Sequence, residues 1–178
     1  MSLTIFTVGH STRAIGEFIS LLVENRIQLL VDIRTIPRSR HNPQFGMESL
    51  ENSLRAANVN YSHMPSLGGL RHARKDSPNG GWHNESFRGF ADYMQTDEFG
   101  IALENLMSSA AELRLSIMCA EALPWRCHRS LVSDALFARG VEVLHIIGKG
   151  SVKPHRLTSF AKVDGEKVWY PPIDPPLF

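Results

Sequence analysis

Blocks of consecutive apolar residues alternate along the chain with blocks in which apolar positions are more widely spaced. The consecutive blocks are short and rich in Ile, Val and Leu, which is typical of strands that are buried on both faces of a parallel sheet. Residues 59–63, between two predicted helices, are more polar and have the length of a further strand. The pattern therefore predicts five strands, which span residues 3–8, 28–33, 59–63, 115–119 and 141–147.

Between these strands, apolar residues recur every three or four positions. Ile15, Phe18, Ile19, Leu22 and Val23 have the spacing of one face of a helix. Similar spacing predicts further helices around residues 47–57, 87–94, 99–110 and 131–136. Strands that alternate with helices predict an α/β fold, here a single three-layer domain with a mainly parallel sheet of about five strands.

The last part of the chain has a different pattern. Residues 160–163 and 166–170 flank Asp164-Gly165, a dipeptide that favours a two-residue hairpin turn. The prolines that follow are incompatible with regular structure, and they are Pro171, Pro172, Pro175 and Pro176. We therefore expect one domain over residues 1–178, with a core at about 3–147 and a C-terminal β-hairpin and Pro-rich tail at about 158–178. The hairpin is expected to be a lid or an addition to the sheet edge.

Composition excludes several classes of protein. A chain of 178 residues with 43% hydrophobic residues and a net charge of +1 is neither collagen-like nor strongly disordered. Two cysteines do not make a disulfide scaffold. Because no segment has the apolar length of a membrane span or the pattern of a signal peptide, we expect a cytoplasmic protein with no membrane association. The sequence does not predict an oligomeric state.

The basic residues are unusual in kind, since 14 are Arg and only 5 are Lys. Arginine is the planar donor that suits phosphate and carboxylate groups. More than half of the arginines lie in segments that follow predicted strands, where an open parallel sheet binds its ligands. We therefore predict an anion site at this edge. Its candidate residues are Arg34, Arg38, Arg129, Ser11, Gly68 and Gly69.

The segment from Cys119 to Ser130 carries the most reactive residue types. Cys127 and His128 begin a predicted helix, where free backbone N–H groups stabilise a thiolate or a bound phosphate. Glu121 and His10 are candidates for proton transfer. The candidate catalytic residues are therefore Cys127, Glu121, His10 and His128.

Each of these residues also has a structural interpretation. Cys119 has the setting of a small buried apolar residue, and Cys127 and His128 are equally compatible with roles at a helix start. The spacing of Cys119, Glu121, Cys127 and His128 matches no standard zinc site, so neither a metal nor another cofactor is expected. Residues 64–86 form a long segment with little periodicity, which favours a functional loop around Gly68 and Gly69.

Several short motifs together resemble one protein family. These are Thr7-Val-Gly-His-Ser11, Val31-Asp-Ile-Arg34 with Pro37-Arg-Ser39, Leu67-Gly-Gly69, Phe87-Arg-Gly-Phe-Ala-Asp-Tyr-Met94, and Met118-Cys-Ala-Glu121 with Cys127-His-Arg129. The set resembles the bacterial and archaeal domain of unknown function 488, from about residue 4 to the strand at His145 and beyond. The resemblance implies an α/β fold with the motifs gathered at one site, and it implies no reaction.

Three functions are compatible with these residues. The first is an enzyme that acts on an anionic, phosphate-bearing substrate, either a nucleotide or a nucleic acid, and that uses the arginines to hold phosphate. The second is a noncatalytic module that binds the same ligands through the arginines, with Trp82 or Trp125 for stacking. The third is thiol chemistry at Cys119 and Cys127, either redox or sulfur transfer. A short distance between the two cysteines would favour redox chemistry.

Overall fold

The sheet of the computed structural model, which describes residues 2–174, contains six strands, and the first five run parallel. The strands are β1 (Thr4–Gly9), β2 (Leu29–Asp32), β3 (Asn60–His63), β4 (Leu115–Cys119), β5 (Glu142–Gly148) and β6 (Ser151–Pro154). Their order across the sheet is β3-β2-β4-β1-β5-β6, and β6 pairs antiparallel with β5. The expected mainly parallel sheet is confirmed. It has one strand more than the five predicted, and this additional strand is β6 at the edge.

Helices cover both faces of the sheet. They are α1 (Ile15–Glu24), α2 (Met47–Ala56), α3 (Glu85–Tyr93), α4 (Asp97–Glu112) and α5 (Arg129–Ala138). The apolar residues of α1 and α2 pack into one buried cluster, and those of α3, α4 and α5 pack into another on the opposite face. The predicted three-layer arrangement is therefore confirmed. Asn58 and Gly140 follow α2 and α5 with positive φ angles of 59° and 77°, the usual backbone of a helix end.

The C-terminal hairpin is present but is separate from the main sheet. Strands β7 (Lys162–Asp164) and β8 (Lys167–Trp169) pair only with each other. Asp164 is paired with Lys167, so the turn is Gly165-Glu166, one residue later than predicted. The hairpin is anchored in the core, because Val168 in β8 and Tyr170, the residue after β8, are both buried. Pro175 and Pro176 of the predicted tail lie outside the described residues.

The order of the strands creates a switch point between β1 and β4. The chain leaves β1 through α1 on one face to reach β2, and it leaves β4 through α5 on the other face to reach β5. The two connections diverge from neighbouring strands, and α/β folds bind ligands in the crevice at such a point. Residues 10–13 and 120–128 therefore occupy the place where a ligand site is expected.

No helix within residues 2–174 is long and apolar enough to cross a bilayer.

Candidate functional site

The segments that leave β1 and β4 are joined directly by backbone hydrogen bonds. The His10 N–H donates to the Cys119 carbonyl (3.0 Å), and the Ser11 N–H donates to the Ala120 carbonyl (2.8 Å). Gly9 permits this approach, because a Cβ at that position would lie 1.7 Å from the Glu121 carbonyl oxygen. The crevice at the switch point is thus covered by the segment of residues 120–126.

Below this segment, the two cysteines are brought together. The Sγ atoms of Cys119 and Cys127 are 2.7 Å apart, and both residues are free thiols. Cys119 is 2% exposed and Cys127 is 6% exposed. Cys119 ends its strand, whereas Cys127 precedes the first turn of α5, where the Arg129 N–H donates to its sulfur (3.3 Å). Cys119 is therefore buried, as the sequence predicted. It also lies in close contact with a second thiol.

The Arg129 side chain is buried beside the thiols and is only 1% exposed. Its Nη2 donates to the carbonyls of Glu121 and Ala122, both at 3.1 Å. Its Nε and Nη1 are buried and have no hydrogen-bond partner among residues 2–174. None of the ion pairs in that part of the chain involves Arg129. A buried guanidinium without a carboxylate is costly unless another anion balances its charge.

The two thiols titrate as a coupled pair. Burial raises the pKa of Cys119, but the thiol of Cys127 and the charge of Arg129 together lower it below its ordinary value. The hydrogen bond to Cys119, with burial, raises the pKa of Cys127 well above the ordinary value. The pair therefore loses its first proton more readily than an isolated thiol and its second much less readily. Loss of that first proton places a negative charge beside Arg129.

His128 adds a neutral imidazole to this group. Its Nε2 donates to the Leu67 carbonyl (3.0 Å), which leaves Nδ1 unprotonated and 3.6 Å from the Cys127 sulfur. Burial lowers the pKa of His128 to about 4. We call Cys119, Cys127, His128 and Arg129 the thiol centre. The structure thus brings together Cys127, His128 and Arg129, three of the residues predicted from the sequence.

Arg34 lies in a second cluster at the end of β2 and is fully engaged there. Its Nε and Nη2 donate to the two carboxylate oxygens of Asp32 (2.9 and 2.7 Å), and Nη2 also donates to the Phe45 carbonyl (2.8 Å). Asp32 is completely buried and also accepts a hydrogen bond from Tyr61 (2.6 Å). The Arg34 guanidinium therefore already has a carboxylate partner, in contrast to Arg129.

His10 connects this cluster to the switch point. Its Nδ1 donates to the Ser11 carbonyl (2.8 Å), its Nε2 faces the Arg34 Nη1 (3.3 Å), and its ring stacks on Phe45 at 4.4 Å. Burial is the main cause of the lowered pKa of His10. Both ring nitrogens thus face protein groups. The role of His10 in proton transfer stays a prediction, and its contacts hold the turn at Ser11, whose φ is 49°.

The remaining predicted residues surround the thiol centre. Gly68 and Gly69 pack against protein atoms: a Cβ on Gly68 would lie 2.2 Å from the Thr35 Oγ1, and one on Gly69 would lie 2.6 Å from the His128 Nδ1. Glu121 and Arg38 are exposed. Anion binding by the glycines and Arg38 and proton transfer by Glu121 stay predictions. Within residues 2–174, no group of three or more His, Cys, Asp or Glu side chains is placed to hold a metal ion.

Sequence reasoning missed a buried polar network beside the thiol centre. Thr7 Oγ1 contacts His145 Nδ1 (2.6 Å), His145 Nε2 contacts His155 Nδ1 (2.9 Å), and His155 Nε2 contacts Asp134 (2.7 Å). The histidines belong to β5 and to the residue after β6, and Asp134 lies inside α5. Thr7, His145 and Asp134 lie inside predicted elements, and the search of strand ends did not include the segment after the fifth strand, which holds His155. The signal for the first three was a polar residue inside an apolar pattern.

The fold and these contacts define a class, namely a doubly wound α/β domain with a buried cysteine pair and a buried arginine at its switch point. The chain belongs to the family described as Domain of unknown function DUF488, whose model matches residues 14–136. The matched range contains the whole thiol centre, and it is shorter than the range suggested by the motifs. No curated protein and no solved structure matches the chain.

Proposed function

We propose that the protein is an enzyme that acts on an anionic, phosphate-bearing substrate at the thiol centre. The observation that carries the proposal is the Arg129 side chain, which is 1% exposed and retains unpartnered N–H groups on Nε and Nη1. These groups favour an anion at the switch point, where α/β folds bind their ligands. A phosphate oxygen on the substrate and the thiolate of the cysteine pair are the two anions that suit them.

Cys127 is the sulfur that reacts in this proposal, because it is the more exposed of the two and lies at the start of α5. The Cys127 sulfur attacks the phosphorus of the substrate, its proton passes to the Cys119 thiolate 2.7 Å away, and the bond between phosphorus and the leaving oxygen breaks. Water then cleaves the sulfur–phosphorus bond and releases the phosphoryl group. Glu121 is exposed on the covering segment and is the proposed proton-transfer group for the leaving oxygen. The unprotonated Nδ1 of His128 is a second, more distant acceptor, 3.6 Å from the Cys127 sulfur.

Access to the thiol centre requires movement of the covering segment, residues 120–126. This segment is held by the Arg129 Nη2 and by the backbone hydrogen bond from the Ser11 N–H to the Ala120 carbonyl. An anion that competes for Arg129 weakens one of these attachments. The substrate therefore assists the opening of its own site, in the manner of a loop that rearranges on binding.

The experiment is a turnover assay on nucleoside mono-, di- and triphosphates and a short single-stranded oligonucleotide, with products identified by mass spectrometry. Cys127→Ser and Glu121→Gln are expected to lose turnover of the substrate that the wild type converts, with unchanged circular dichroism. Arg55→Ala removes an exposed arginine on α2 and serves as the matched control. Full turnover by both Cys127→Ser and Glu121→Gln contradicts these roles.

The 2.7 Å distance between the sulfurs favours a second candidate function, which is thiol–disulfide exchange. A thiolate of the pair attacks an external disulfide and releases one thiol, and the second cysteine then displaces the other thiol to close a Cys119–Cys127 bond. Incubation with oxidised glutathione, followed by mass spectrometry, tests this candidate: formation of the internal disulfide supports it, and a mixed disulfide that never resolves contradicts it.

A further inference from the structure

A cavity of about 860 Å³ opens on the α5 face of the sheet, between the residues that precede α5 and the β5–β6 edge. This volume is ample for a small organic ligand. The wall combines two indole rings, two cations, two imidazoles and two hydroxyl groups. The residues that carry these groups are Trp82, Trp125, Lys153, Arg156, His145, His155, Ser130 and Thr158.

The aromatic part of the wall has surface left for a ligand. Trp125 is 61% exposed, although it is a large apolar side chain next to the buried Pro124. Trp82 packs edge-on against Phe87 and Phe160, and its Nε1–H is buried without a hydrogen-bond partner in the described chain. An exposed indole at the mouth of a cavity provides a stacking surface for a flat ring.

The charged part of the wall is positive. Lys153 and Arg156 are exposed, and neither takes part in any ion pair within residues 2–174. The cavity lining contains no carboxylate. Asp134, behind the wall, is already satisfied by His155, the Thr158 N–H and the Tyr170 hydroxyl. The two cations are therefore free to hold an anionic group.

The histidines make the rear of the cavity rigid. Every ring nitrogen of His145 and His155 contacts Thr7, Asp134 or the other histidine, at 2.6 to 2.9 Å. Ligand recognition therefore depends on the indoles and the cations, whereas the imidazoles fix the shape of the wall. A preformed wall of this kind lowers the entropy cost of binding.

We propose that this cavity binds a mononucleotide, with the base against Trp125 and the phosphate held by Lys153 and Arg156. An aromatic surface beside two unpaired cations matches a ligand that carries a flat ring and a phosphate. Pro124, Trp125 and Ser130 of its wall flank Cys127 along the chain, but no residue of the thiol centre lines the cavity. The inference goes beyond the proposed function, because it assigns a second anion site whose wall does not include Arg129.

Calorimetric titration with AMP, adenosine and inorganic phosphate tests the inference on the full chain. Trp125→Ala is expected to weaken both AMP and adenosine at least tenfold. Arg156→Ala is expected to weaken AMP by a similar factor and to leave adenosine unchanged, because only AMP carries the phosphate. Arg55→Ala, a surface arginine on the opposite face, is expected to bind AMP as the wild type does.

The possible results separate this inference from the proposed function. The inference is overturned if AMP does not bind or if AMP binding survives both substitutions. Phosphate binding that is lost in Arg129→Lys but kept in Arg156→Ala keeps the proposed function and rejects the cavity as its binding site. AMP binding that depends on Trp125 and Arg156, with turnover that is unaffected by Cys127→Ser, supports the inference and rejects the proposed function.

Discussion

Two buried arginines with different partners determine the character of this site at the residue scale. Arg34 is paired with the Asp32 carboxylate and also donates to the Phe45 carbonyl, whereas Arg129 has only the carbonyls of Glu121 and Ala122. The sequence predicted both as anion-binding residues from their place after strands. Their difference was not predictable, because it depends on which neighbours the fold supplies. The Arg34 contacts indicate a structural role, and those of Arg129 favour a ligand.

Replacement of Arg34 by Met is expected to lower the free energy of unfolding by about 3–5 kcal/mol, because it leaves the buried Asp32 carboxylate without its cation. Urea unfolding measures this change. Arg38→Ala, at an exposed position in the same segment, is the control and is expected to change stability by less than about 0.5 kcal/mol. Equal stability of the two variants would mean that Arg34 does not support the fold.

His145 makes stability depend on pH. Burial, with the charges of His155 and Arg129, lowers its pKa to about 3, so the native state keeps it neutral while the unfolded state binds a proton below about 6.5. Stability therefore falls as the pH decreases from about 6.5 towards 3. Between pH 7 and pH 5 this residue accounts for about 2 kcal/mol of the loss.

His145→Asn removes the titrating group, so its free energy of unfolding is expected to change less between pH 7 and pH 5 than that of the wild type. The comparison of the two pH slopes, from urea unfolding, does not depend on the absolute stability of the variant. Identical slopes would show that His145 is not held neutral in the native state.

At the scale of elements, the chain was largely predictable because the parallel strands are continuous apolar runs. Strand β6 was missed because Ser151–Pro154 lies exposed at the sheet edge and has no apolar repeat. The hairpin turn was displaced by one residue because Asp164 pairs with Lys167. The covering segment, residues 120–126, had no periodicity to indicate that it folds back over Gly9 and closes the switch point.

Gly9→Ala is expected to destabilise the protein by about 3 kcal/mol or more, because the new Cβ would lie 1.7 Å from a backbone oxygen that cannot move aside freely. Thermal unfolding measures the loss. Gly100→Ala, inside α4 with no atom within 4 Å of the new Cβ, is the matched control and is expected to raise stability by about 1 kcal/mol. A stable Gly9→Ala protein would contradict the close packing of the covering segment.

At the scale of the whole molecule, a net charge of +1 conceals an uneven distribution of cations. The sequence indicated this from the arginines that follow strands, and an anion site at these strand ends stays a prediction. The cavity beside β5 and β6 was not predicted, because its wall joins residues from Trp82 to Thr158 that only the tertiary fold brings together. Residues distant in sequence thus form a second region suited to an anionic group.

Cys119 and Cys127 of the thiol centre titrate as one coupled pair, and Arg129 balances the negative charge of that pair. The most direct test is the ultraviolet absorbance of thiolate as a function of pH, in the wild type and in Cys127→Ala and Cys127→Ser. In the wild type, one thiolate is expected to form below the ordinary thiol pKa and the second well above it. Cys127→Ala is expected to raise the pKa of Cys119, whereas Cys127→Ser keeps a donor and the lowered value. Two thiols that titrate together at or above the ordinary pKa, unaffected by the choice of Ala or Ser, would contradict the claim.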